Sequence, residues 1–319
     1  MTGLGRVMAG VSGAALLVAL IAAGPAFATG AEPAQTKPAP ALSVSGVTVT
    51  APEKPNPLVN PETQFVRGHL KRNRNDQYAR FHDPICVRVI GLPAEFDAFI
   101  AKRVVDLAKE VKAPVDASPT CKPNVNVVFS PQPQAQLDDI AKRRDILFGF
   151  HFVAETKKLS TFSRPIQAWY VTQTQDTTGK RVLELVDPHP FEPKEGKAPA
   201  VMGKAGSRLG NDMSTELVHA LILADANKVA DEKIGAIADY IAVLALARWN
   251  GLETCNSLPT ILNLLADGCG ADEIAEAATP SDLGLLEGLY SVDPRESGTM
   301  QRASIADRMS AENKKDASR

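Results

Sequence analysis

The chain of 319 residues reads as an α+β protein whose N-terminal half is α/β-like, a mixed sheet with packed helices held by two disulfides. Three observations carry that expectation. From Cys86 onward, strand-like and helix-like apolar patterns alternate, the order that brings parallel strands together through helical crossovers. Two strand-like runs at 166–174 and 182–187 flank a turn of hairpin composition, Asp176-Thr-Thr-Gly179. A strongly apolar segment at 233–248 then implies a helix buried around most of its circumference.

The elements follow in chain order. Residues 1–28 hold one early charge, Arg6, then an apolar run from Val7 to Ala23 and a small-x-small pattern ending at Ala28. That is the form of a cleavable signal peptide, cut after Ala28, and the run is too short and too rich in Gly and Ala for a membrane span. Residues 29–60, rich in Pro, Ala, Thr and Lys, lack the apolar surface to fold and read as a disordered linker. An N-terminal region at 61–213 opens with a helix over 63–80 that carries Arg67, Lys71, Arg72, Arg74 and Arg80 as a solvated face. It continues with strand 86–90, helix 94–112, strand 125–129, helix 135–149 and the hairpin. The stretch 188–213 is a long loop.

A C-terminal region at 214–310 contains strand 217–223, the apolar helix, a helix at 259–266 and a helix at 280–290. Thr279-Pro280-Ser281-Asp282 supplies the last with an N-cap, a first-turn proline and an acid at the third position. A final helix near 298–310 precedes a disordered tail at 311–319.

Charge and cysteine usage narrow the function classes. The formal net charge of −2 becomes −3 once Arg6 leaves with the signal peptide, so no global charge argues for nucleic acid or acidic membrane as a partner. The four cysteines lie in the mature part and show no C-x-x-C spacing, which disfavours a redox centre or zinc knuckle. In an oxidising compartment they pair, and order along the chain selects Cys86–Cys121 and Cys255–Cys269. Parallel neighbouring strands at 86–90 and 125–129 bring the first pair together.

Catalytic motifs are missing. The histidines are His69, His82, His151, His189 and His219, and no two are spaced four apart around a glutamate as in a zinc-peptidase helix. No G-x-S-x-G or phosphate-binding loop occurs. Carboxylate pairs such as Asp138–Asp139 and Glu273–Glu276 sit on polar helix faces. Three residues remain as binding candidates. Asp239 and Tyr240 are the strongly polar side chains of the apolar helix, and His219 lies in an apolar strand. A carboxylate placed as Asp239 is must reach solvent, pair with an arginine or cap a loop, or else serve a site.

Several segments carry a resemblance. Ile237-Ala-Asp-Tyr-Ile-Ala-Val-Leu-Ala-Leu246, Thr260-Ile-Leu-Asn-Leu264, the run from Thr279 to Tyr290 and Ser304-Ile-Ala-Asp-Arg-Met309 resemble an uncharacterised family of secreted proteins from Gram-negative bacteria. Cys86, Cys121-Lys-Pro-Asn124 and Ala168-Trp-Tyr170 look similar to the first half of that family. The order of segments also looks like a second family with a zincin-like (zinc-peptidase) layout, in which a strand leads to an active-site helix. This resemblance implies a zincin-like fold with helix 233–248 in the place of the zinc helix. The chain departs from the pattern at Ala238-Asp-Tyr-Ile-Ala242, where a Glu- or His-containing motif is expected, so no metal or cofactor is implied. The expectation is a periplasmic or secreted protein without catalysis, binding an envelope protein or ligand. The alternative is a zinc-dependent hydrolase or peptidase with dispersed ligands drawn from His219, Asp239 or Glu273.

Overall fold

The computed structural model describes residues 60–73, 75–142, 159–176, 178–183 and 213–318. The expected signal peptide, nearly all of the linker, Arg74, the second half of helix 135–149, the end of strand 182–187 and nearly all of the loop at 188–213 lie outside the described residues.

Helix α1 (Pro61–His69) starts where Asn60 accepts hydrogen bonds from the amides of Glu62 (2.8 Å) and Thr63 (3.2 Å), with proline in the first turn. It stops well short of residue 80, which corrects the expected helix over 63–80. Leu70 forms a β-bridge with Trp249 and the Lys71 amide donates to the Arg248 carbonyl, so tertiary pairing draws the chain out of the helix. The basic residues therefore share no face. Arg80 lies in strand β1 (Arg80–Phe81), only 4 % exposed, donating to the Val292 carbonyl at 2.6 Å, and burial lowers its pKa to about 10.

Strand β2 (Val87–Ile90), helix α2 (Ala94–Glu110) and strand β3 (Val125–Ser130) form the expected parallel unit, with Val87 opposite Val125 and Ile90 opposite Val128. Ile100, Val104 and Leu107 of α2 are fully buried, spaced to lie on one helix face, whereas Phe96 at the start is 39 % exposed. Cys86 and Cys121 are bridged with their Cα atoms 5.9 Å apart. Helix α3 (Pro133–Ala141) follows.

Strand β4 (Ile166–Gln175) and strand β5 (Arg181–Leu183) pair antiparallel around a turn in which Asp176 accepts from the amides of Thr178 and Lys180. Strand β6 (Ser214–Asp225) is longer than its apolar run suggested. It occupies the centre of one six-stranded sheet of order β2-β3-β6-β4-β5, with β1 beside it. Strands β1 and β3 are parallel to β6 and β4 is antiparallel, so the boundary between 213 and 214 separates no structural units. Val171 faces His219 and Thr172 faces Leu217, which leaves Val218 as an extra residue that shifts the register.

Helix α4 (Ile234–Leu246) is buried from Ala236 to Leu246. Its last carbonyls have no helical partners, and three aromatic side chains satisfy them. Trp249 Nε1 donates to the Val243 carbonyl (3.0 Å), Tyr170 Oη to Leu244 (2.8 Å) and Tyr290 Oη to Leu246 (2.9 Å). The helix expected over 259–266 is a 3-10 helix at Ile261–Leu265, a tighter geometry suited to so short a piece between Cys255 and Cys269. Those two are bridged at a Cα separation of 5.0 Å.

Helix α5 (Pro280–Ser291) begins with a complete capping box between Thr279 and Asp282. Helix α6 (Gly298–Ala317) runs into the segment expected as a disordered tail. Its later turns are tied down through Arg308 to Glu287 and Asn313 to Ser281. One core joins α1, α2, α4, α5 and α6 to a face of the sheet, and a smaller one on the opposite face packs Leu137 of α3 against Trp169, Leu221 and Leu223. No described helix is long and apolar enough to cross a membrane.

Candidate functional site

A cleft of 270 Å³ opens at the edge of β4, where consecutive residues, Ala168, Trp169 and Tyr170 among them, line it from both faces of the strand. Its other wall comes from Tyr240 and Leu244 of α4 and from the segment Arg248–Glu253 that follows the helix. Local sequence explains this wall. The aromatic side chains above anchor the end of α4, and the chain then turns through Gly251, whose φ of +62° suits glycine.

Tyr240 is 1 % exposed and lines the cleft. No hydrogen bond reaches its hydroxyl from the described residues, in contrast to Tyr170, which donates to a helix carbonyl. Burial raises the Tyr240 pKa to about 12, with the Arg164 charge working against that and the Glu253 charge adding to it, so the group is a neutral phenol near neutral pH. Arg164 bonds the Leu252 carbonyl and stands 3.6 Å from Glu253, with 19 % of its side chain exposed. The charged residues of the lining are Lys71, Arg164, Arg248 and Glu253, three cations against one carboxylate.

The three residues singled out from sequence do not converge. Asp239, next to Tyr240, points toward α2, where Arg103 grips both of its carboxylate oxygens. The same carboxylate accepts from the amide of Ala278 at 2.8 Å, just ahead of α5. Both structural roles named for this acid, pairing with an arginine and capping a loop, are present together. His219 shares the sheet face of Leu221 and Leu223, away from Tyr240. Its Nε2 lies 2.8 Å from Asn126 Nδ2, its Nδ1 is buried with no partner among the described residues, and burial lowers its pKa. Farther along β6, Glu216 gathers His82 Nδ1 (2.9 Å), Gln173 Nε2 (2.6 Å) and Arg181. Burial alone would raise the Glu216 pKa, but these donors outweigh it and hold the group below the ordinary value of 4.5.

Among the described residues, the three-ligand cluster Cys255, Cys269 and Glu273 has both sulfurs committed to a disulfide. On α4, Ala238 and Ala242 stand where the zincin-like resemblance would put ligands, and methyl groups offer no donor atom. A zinc ion does not fit these positions.

Sequence reasoning missed Arg164, Arg248 and Trp249. The available signal was the run Arg248-Trp-Asn-Gly251 directly after an apolar helix, a polar and turn-forming segment obliged to sit at the helix mouth. No family model, curated protein or solved structure matches the chain.

Proposed function

We propose that this chain is an exported, non-catalytic binding protein of the bacterial periplasm or exterior, and that its ligand occupies the Tyr240 cleft. One observation carries the reading. The hydroxyl of Tyr240, on a residue 1 % exposed, has no hydrogen-bond partner among the described residues and lines a cleft, where water or a ligand group can complete its bond. The cleft is concave and pairs apolar walls with several polar and charged groups, a mixture that can both hold and orient a small molecule.

Export is supported by the leader-like residues 1–28 and by two disulfides, which persist in oxidising compartments. The zincin-like layout and the kinship with secreted Gram-negative proteins belong to the same proposal. Their support is the path from a long central strand, β6, into the buried helix α4, with antiparallel β4 alongside. The side chains of α4 support no metal chemistry, so the fold serves here as a scaffold for binding.

The chain has two tryptophans, Trp169 and Trp249, and both line the cleft. Intrinsic fluorescence therefore reports on occupancy. Titration of the purified mature protein with a panel of small acids, bases and neutral compounds is expected to give saturable changes in emission. A panel without a single saturable response, or stoichiometric zinc that a chelator removes, would overturn the proposal.

A further inference from the structure

The chemistry of the cleft narrows the ligand class, on the assumption that the binding reading above holds. We infer that the cleft takes a small organic carboxylate with an apolar body, the carboxylate received by Arg164 and the Tyr240 hydroxyl, the body lying along Ile166, Leu244 and Trp249.

Among the polar side chains that line the cleft, Tyr240 and Arg164 can act together. A neutral phenol beside a guanidinium offers donors, and an anionic oxygen can accept from both, forming charge-assisted bonds that are stronger than neutral ones. Tyr240 supplies an O–H that has no other acceptor among the described residues. Arg164 is anchored at one nitrogen by its bond to the Leu252 carbonyl. Its contact with Glu253 is loose, at 3.6 Å, and Glu253 is 66 % exposed, so that carboxylate can turn to solvent when another takes its place. Lys71 and Arg248 add positive charge to the lining, which disfavours a cationic ligand. Size completes the assignment: 270 Å³ lies near the lower end of ligand pockets and suits a molecule of a few carbons rather than a nucleotide.

Three probes of matched length separate the possibilities: hexanoate, hexanol and hexylamine, each titrated against the mature protein by tryptophan fluorescence. Hexanoate is expected to bind roughly tenfold or more tightly than hexanol, as a charge-assisted pair of bonds implies. Hexylamine is expected to bind least. Tyr240→Phe removes a hydroxyl that bonds none of the described residues, so its unfolding midpoint should match or exceed that of the wild type. Its hexanoate affinity should fall about fivefold to tenfold, while its hexanol affinity stays unchanged. Arg164→Gln should erase the preference for hexanoate over hexanol, and added salt should weaken hexanoate binding alone. A Tyr240→Phe variant that loses stability but retains hexanoate affinity marks Tyr240 as structural and overturns the inference. Equal binding of hexanol and hexanoate overturns the carboxylate assignment and leaves the binding reading intact. Silence of every compound in the wider panel removes both.

Discussion

Asp239 and Tyr240 are adjacent on one helix and face different surroundings. Consecutive residues of an α-helix point about 100° apart, so a helix buried on all sides sends neighbours into different surroundings. Asp239 meets Arg103 and the Ala278 amide, and its side chain is 6 % exposed against 32 % for its arginine. That makes it a tie between α4, α2 and the entry to α5. Asp239→Ala leaves the arginine and an amide without their acceptor, and should cost about 2–4 kcal/mol in urea unfolding. The affinity of the remaining folded protein for hexanoate should be unchanged. A stable variant with altered binding would instead return Asp239 to the site. The sequence marked this acid as anomalous and named its two structural solutions. It could not name Arg103, because that partner lies 136 residues away.

At the level of elements, helices α5 and α6 meet through glycine. A Cβ on Gly284 would stand 2.8 Å from the Met309 Cα, and one on Gly288 would stand 2.9 Å from the Ile305 Cα. Both obstacles are backbone, which cannot turn aside. Alanine gains about 1 kcal/mol of helix propensity over glycine, but overpacking against a fixed backbone costs about 1–3 kcal/mol and should prevail. Gly288→Ala is therefore expected to lower the thermal midpoint, and a rise in the midpoint would contradict the close crossing. Two glycines four residues apart, in Gly284-Leu-Leu-Glu-Gly288, lie on one face of the helix. Its use depends on which helix arrives, and that is a matter of packing. The cap of α5 is the opposite case: Thr279, Pro280 and Asp282 interact across three residues, and the box was legible from sequence because it is local.

Across the whole molecule, the disulfides act on different stretches of chain. Cys86–Cys121 closes a sequence separation of 35 residues and Cys255–Cys269 one of 14. The chain-entropy relation gives about 4 kcal/mol for the first and about 3 kcal/mol for the second. Replacing each pair by serine should therefore lower stability by those amounts, with the first variant the weaker in denaturant titration. The reverse order would show that strain or residual structure, rather than loop length, governs these bridges. Reduction is also expected to loosen the segment from Thr254 to Asp267, which the shorter bridge ties to a β-bridge of its own.

By itself the sequence determined the elements whose causes are local. Apolar spacing placed α2 and α4, turn residues placed the hairpin, the cap box placed α5, and strand order together with cysteine order paired the four sulfurs. The tertiary structure decided everything that depends on distant partners. It ended α1 at His69 by pairing Leu70 with Trp249, buried Arg80 against Val292, set β6 at the middle of a single sheet, and extended α6 to Ala317. It also decided the site, by separating Tyr240 from Asp239 and His219 and joining it to Arg164 and Trp249. The reason is physical: periodicity and capping act over a few residues, whereas a cleft is made by side chains that only packing brings together.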